Sequence, residues 1–165
     1  MSVAATAGIK VADEVWIVTA LLHREHPETV DFAVEEIVDR AKREGLSKNL
    51  RKGIYVHAIQ HCVANRAPNS GRYRMLVETA PGRRRLFRAG DSYDPAREGA
   101  KIVPRREEIP ARYISLLDWY RDWGKDDVEE RIKNDPLLAL YGDGKDLWAD
   151  EKADDYVRRL REGWE

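Results

Sequence analysis

The chain contains one cysteine, Cys62, in 165 residues. An internal disulfide is thereby excluded, and a reducing, cytoplasmic setting is the simplest expectation. No apolar run approaches the length of a bilayer span, so no membrane association is expected. Residues 1–10 lack the charged-then-apolar layout of a secretion signal and read as a loose leader. A glycine-rich phosphate loop is missing: Gly142-Asp-Gly144-Lys145 is too short and follows no strand. No serine sits in a nucleophile elbow, and Cys62 has no activating neighbours. His57 and His61, four apart, could clasp a metal ion, with His23 and His26 nearby. The glutamate of a zinc-protease helix is absent between them, and no further ligand stands at a recognisable spacing. The expectation is no metal, no cofactor and no enzymatic activity. A small nuclease using scattered carboxylates and His57 is the catalytic alternative, and no motif supports it.

Charged residues make up 36% of the chain and aromatics 8%, with five tryptophans, which argues against both a disordered and a membrane protein. The length suits one domain, or a small domain with an appendage. A formal net charge of −1 conceals a partition along the chain. Residues 1–41 carry three basic and eight acidic side chains, residues 42–112 seventeen and seven, and residues 113–165 nine and fifteen. The middle block, at +10, is the natural place for a polyanion to bind, although a solvated charged surface would look the same.

Helical signals come first. Residues 12–26 have a plausible N-cap in Asp13, with Val15, Trp16, Val18, Thr19, Leu21 and Leu22 at helical spacing before Pro27. A second helix is predicted over Val34–Glu44, with Val34, Ile37, Val38 and Ala41 on one face and Gly45 as its stop. Phe32, just ahead of it, fits a short strand or a hydrophobic staple. A third helix is predicted over Lys52–Ala64, ending at Asn65.

Residues 72–88 then read as a β-hairpin rich in arginine. Tyr73, Met75 and Val77 alternate with Arg72, Arg74, Leu76 and Glu78. Thr79-Ala-Pro-Gly82 is turn chemistry, and Arg83, Arg84, Arg85 and Arg88 fill the second strand. Three helices followed by such a hairpin is the element order of a winged helix-turn-helix, an α+β fold whose third helix enters the major groove.

In the third helix Tyr55, Ala58, Ile59, Cys62 and Val63 are expected to face the core. The opposite stripe holds Gly53, Val56, His57, Gln60, His61 and Ala64, with Arg51 and Lys52 at its entrance and Asn65 at its exit. Glutamine suits adenine edges, histidine can donate or accept, and the cations suit phosphate. The expected DNA-binding residues are thus Arg51, Lys52, His57, Gln60, His61 and Asn65 in the groove. Arg72, Arg74, Arg83, Arg84, Arg85 and Arg88 would meet phosphate or the minor groove. An exposed face touching phosphate alone is the blander alternative.

Residues 93–108 read as a connector between a winged domain over 11–92 and a helical extension over 109–165. A helix is expected from Ile109-Pro110 to Gly124, with Tyr113, Leu116, Leu117, Tyr120 and Trp123 on one apolar face. That face could pack on the domain or form a homodimer contact. A short charged helix over Asp126–Asn134 should break at Asp135-Pro136.

The last thirty or so residues carry Asp135-Pro-Leu-Leu-Ala-Leu140, Gly142-Asp-Gly-Lys-Asp-Leu-Trp-Ala-Asp-Glu151 and Tyr156-Val-Arg-Arg-Leu-Arg-Glu-Gly-Trp164. This stretch resembles the C-terminal tails of type II antitoxins of the VapB kind. The resemblance implies a partner of the PIN-domain ribonuclease class, wrapped by the tail, with a basic side chain reaching its acidic metal site. Leu147, Trp148, Tyr156, Arg158, Arg159, Leu160 and Trp164 are the implied partner-binding residues, and Arg161 is a further candidate for the intruding cation. Residues 12–90, with Gly53-Ile-Tyr55 opening the third helix, also resemble the winged helices of the HARE-type class found beside bacterial restriction systems. That half departs from the usual antitoxin pattern, in which a small β-rich or ribbon-helix-helix unit binds DNA. Tyr156, Leu160 and Trp164, four apart, would equally let the tail fold back on its own domain.

The sequence therefore predicts a DNA-binding transcriptional regulator whose partners are double-stranded DNA and, through its tail, a protein. The contrasting expectation is a winged-helix protein–protein interaction module that never touches DNA.

Overall fold

A computed structural model describes residues 8–47, 52–139, 158 and 161. It is an α+β fold in two units, residues 1–124 and residues 125–165. In the first unit, α1 (Val11–Glu25) is followed by β1 (Phe32–Ala33), α2 (Val34–Glu44) and α3 (Gly53–Val56). A π-helical turn over His57–His61 extends α3. The hairpin strands β2 (Leu76–Ala80) and β3 (Arg83–Leu86) come next, then short 3-10 turns and the start of α4 (Ile114–Asn134), whose later residues belong to the second unit. The sheet is antiparallel in the order β1-β3-β2.

Helix α1 is the axis of the core. Every residue from Ala12 to His23 is buried, so the helix is enclosed on all sides instead of lying on the surface with one wet face. Thr19 and Asp13 survive there because each has a partner. The Thr19 hydroxyl donates to the carbonyl of Val15 at 2.8 Å, and Lys101 Nζ lies 2.7 Å from Asp13 Oδ1. Asp13 is thus not the N-cap; that place falls to Lys10, and the Asp13 carboxylate is held inside by a lysine from a distant loop. Burial raises the Asp13 carboxyl above its ordinary range, against the pull of Lys101.

Helix α2 spans the predicted residues, with Val34, Ile37 and Ala41 buried. The Ala33 N–H donates to Glu36 Oε2 at 2.7 Å at its start, and Gly45 ends it at φ +63. That left-handed conformation is one a residue with a Cβ resists. The hairpin turns at Pro81-Gly82, where Gly82 takes φ +74. Glu78 pairs with Arg84 and Ala80 with Arg83, so Thr79 is an extra residue bulged out of β2.

Residues 109–123 belong to the first unit. Ile109, Tyr113 and Leu116 are buried in the main core, and Tyr120 meets Trp16 edge to face at 5.6 Å between ring centres. The unit boundary lies at Gly124 and not at residue 109, because this apolar face is spent on the core. Helix α4 does not stop at Gly124; one glycine costs a helix about 1 kcal/mol, too little by itself to end it. In the second unit, α5 (Pro136–Ala139) follows Asp135, whose Oδ1 accepts from the Leu137 N–H at 2.8 Å. No described helix is long and apolar enough to cross a membrane.

Candidate functional site

The third helical segment is built differently from a plain α-helix. Ile54, Ala58 and Cys62 form the buried stripe, four residues apart, with Val63 and Ala64 also enclosed. Tyr55, expected inward, is 50% exposed, and Val56 is 40% exposed beside it. A stripe at intervals of four outruns the 3.6-residue repeat of an α-helix. Widening the turn from His57 to His61 keeps Cys62 over the core. Cys62 itself is wholly enclosed, and burial pushes its thiol far above the usual range, so it is inert as a nucleophile.

The last carbonyls of the wide turn accept backbone N–H groups from Val63 and Tyr73, and Arg97 adds a second donor to each. Its guanidinium, fully buried, donates from Nη2 to Gln60 O at 2.9 Å and from Nη1 to His61 O at 2.8 Å and Tyr73 O at 2.7 Å. Its Nε donates to Arg66 O at 2.7 Å. Burial lowers its pKa, yet an arginine has ample margin to stay charged. Sequence reading passed over Arg97 because it lies in the connector, among turn residues that suggest no packing role.

The hairpin arginines serve the fold in a similar way. Arg84 is 2% exposed. It donates to Ala58 O at 3.0 Å and Arg83 O at 2.8 Å, and lies 2.8 Å from Glu78 Oε2. Arg83 binds the Asp31 carboxylate at 2.5 Å, and Arg85 grips Asp91 with bonds of 2.6 and 2.7 Å. The Thr79 hydroxyl and then Arg83 hold the Asp31 carboxyl below its usual range. Arg88 lies over the Trp123 ring at 3.8 Å, and Arg74 over Tyr93 at 4.1 Å. Expected to greet phosphate, these five side chains are engaged within the protein. The reason is physical: Asp31 just before β1 and Glu78 in β2 reach Arg83 and Arg84 from either side of β3, and Asp91, Tyr93 and Trp123 reach the others from segments that follow the hairpin.

Asn65 is also committed. Its Nδ2 donates to Glu78 O at 2.9 Å while its Oδ1 accepts the Glu78 N–H at 2.9 Å, so the amide stands in for a strand residue. His61 is half buried under Gly71, where a Cβ would lie 2.7 Å from the His61 Cβ. The Gly71 backbone must therefore remain bare. His57 Nδ1 lies 2.8 Å from Gly53 O, and its ring meets that of His61 edge to face at 4.8 Å. Since a carbonyl can only accept, Nδ1 is the donor in that bond. Gln60 Nε2 donates to Ala67 O at 2.7 Å, leaving its side-chain oxygen to accept. Among the described residues no group of three or more His, Cys, Asp or Glu could hold a metal ion.

What the geometry leaves on the surface of this helix is Lys52, Tyr55 and Val56, with the half-buried His57 and Gln60 behind them. Arg72 is exposed too, and makes no ion pair with another described residue. It sits beside the π turn, since its neighbour Tyr73 donates its N–H to His61 O at 3.1 Å. Arg51, Leu147, Trp148, Tyr156, Arg159, Leu160 and Trp164 lie outside the described residues. Arg158 and Arg161 are helical and exposed.

No family model matches the sequence, and no solved structure matches it. The chain is similar, at 29% identity over 104 residues, to part of an isoleucine–tRNA ligase from Cupriavidus taiwanensis. The matched stretch is 63% of this chain and 10% of that ligase, so the chain spans about a tenth of the length of this curated relative.

Proposed function

We propose that residues 11–90 form a winged helix-turn-helix that binds double-stranded DNA, and that the protein acts as a transcriptional regulator. The observation that carries this reading is topological. The order helix, strand, helix, helix, hairpin, with β1 added to the far side of β3, is the arrangement a winged helix requires. It leaves the third helical segment with one face outward, and that face has Lys52 at its start and Arg72 alongside its end. Both belong to the block of the sequence whose net charge is +10.

The pairing of the hairpin arginines narrows the interface. Lys52, Gln60 and Arg72 would do the binding, and the hairpin would hold the helix in place. The same pairing supports a second reading, in which the winged fold is a protein–protein interaction module. On either reading the tail that resembles VapB-type antitoxins is the site for a protein partner, with Arg158 and Arg161 as its described members.

Fluorescence anisotropy separates the two. The full chain is titrated at two salt concentrations against a duplex from its own upstream region, a scrambled duplex and an RNA duplex of the same sequence. Salt-dependent binding with preference for the upstream DNA is expected. Lys52→Ala and Arg72→Ala should each reduce the slope of log affinity on log salt by about 0.9 per lost phosphate contact. Equal or absent binding to all three duplexes would sink the regulator and leave the interaction module.

A further inference from the structure

The outward face of the third helix carries two adjacent apolar side chains that the core does not use. Tyr55 and Val56 stand in solvent although Ile54 and Ala58, on either side, are enclosed. Val56 lies one turn beyond the exposed Lys52 and one turn before Gln60, so cation, methyl pair and amide follow one another along a single face. Exposing valine on a helix brings no packing, and its branched Cβ lowers helix propensity. Its stiffness is an asset in recognition, however, because almost no rotamer freedom is lost when it meets a partner.

We propose that Val56 contacts the C5 methyl of a thymine in the major groove, making it a specificity-determining residue. The inference rests on the DNA reading above and deepens it. Duplex DNA is the occupant that the charges favour, since Lys52 and Arg72 flank the apolar pair and no carboxylate lies on the helix between residues 52 and 64. In the major groove the thymine methyl is the apolar group on a base edge, and uracil in an RNA duplex lacks it. Gln60, next along the face with its side-chain oxygen open to accept, would meet an exocyclic amine of a neighbouring base.

The test uses the full chain and a duplex selected with it from a random-sequence DNA pool. Each thymine of the selected duplex is replaced singly by uracil, which deletes one methyl and keeps the pairing. At one position wild-type affinity should fall about three- to fivefold, the worth of one buried methyl group. Val56→Ala should bind the thymine and uracil duplexes equally, and should match wild type on the uracil duplex. The residue is exposed, so the variant's melting curve should overlay that of wild type. If wild type binds DNA but no uracil replacement matters, the Val56 inference fails and DNA binding stands. If Val56→Ala keeps the thymine preference, the methyl is read elsewhere and the assignment is overturned. If no duplex is selected or bound, the DNA reading falls and the inference falls with it.

Discussion

Asn65 and Glu78 are joined by two opposed hydrogen bonds, amide to backbone carbonyl and backbone N–H to amide oxygen, each 2.9 Å long. The pair ties the end of the third helical segment to the hairpin, so the Asn65 amide is committed to the backbone of β2. Asn65→Ala should cost about 1–2 kcal/mol of stability, the worth of two partly exposed hydrogen bonds. Urea denaturation measures that loss. Duplex affinity of the folded variant should be unchanged, and a changed sequence preference would return Asn65 to the interface.

Adjacent arginines of β3 should behave oppositely. Arg84→Met takes a buried donor from the carbonyls of Ala58 and Arg83, each worth about 1–3 kcal/mol when left unmet, while the part-exposed Glu78 carboxylate keeps Arg66 at 2.7 Å. Arg83→Ala removes a pair whose arginine is largely wet, worth at most about 1 kcal/mol. Thermal melts of the two variants make the comparison, and equal shifts would refute the burial argument.

Replacing Arg97 by lysine keeps the charge and loses the shape. One ammonium cannot reach the carbonyls of Gln60, His61, Arg66 and Tyr73 together, and each charge-assisted hydrogen bond lost is worth about 1.5–3 kcal/mol. The damage should be local first. Amide hydrogen exchange at Cys62, whose N–H donates to His57 O at 2.9 Å, should quicken more than exchange in α1. Uniform acceleration across the domain would mean that Arg97 does not act specifically on the π turn.

His23 sets the acid limb of stability. It is enclosed between Phe32 and Trp123, and its Nε2 accepts the Leu86 N–H at 3.3 Å. Burial, then the charges of Arg88 and Arg85, lower its pKa from 6.5 to about 3. Between those values the unfolded chain takes up a proton that the native protein refuses, so stability falls as pH drops through 6.5. Linkage puts the loss from pH 7 to pH 5 at about 2 kcal/mol. His23→Gln keeps an acceptor for Leu86 and removes the titration. Its stability should be flatter over that interval, as measured by urea midpoints, and an undiminished slope would assign the effect to other groups.

Local chemistry made much of this fold readable. Gly45 fixed the end of α2, Pro81-Gly82 fixed the hairpin turn, and Phe32, open to either a short strand or a staple, forms the strand that pairs with β3. What escaped were features decided by residues far apart in sequence. Nothing local tells Ile54 from Tyr55 as the inward residue, because the choice depends on the π turn that follows. The bulge at Thr79 shifts the partner of Arg84 from Thr79 to Glu78, and with it the ion pair. Arginine density looked like a phosphate surface because the acids and carbonyls that absorb it, Asp31, Glu78, Asp91 and Ala58, are contributed by other segments. Lys52, Gln60 and Arg72, the candidates for DNA contact that the fold leaves outward, were legible, whereas the exposure of Val56 takes on a meaning only beside its buried neighbours.

The clasp that Arg97 makes on the π turn has a consequence for the order in which the chain becomes structured. The carbonyls it binds lie 24 to 37 residues upstream. During synthesis, then, the third helical segment emerges well before the side chain that completes it. Closing loops of that length costs about (3/2)RT ln n in free energy, and the cost must be met before the bond is gained. A nascent chain ending at Gly90 would hold all three helical segments and the hairpin, yet the last turn of its exposed helix would be unfinished. The surface proposed to meet DNA is thus among the last parts of the domain to take its final shape.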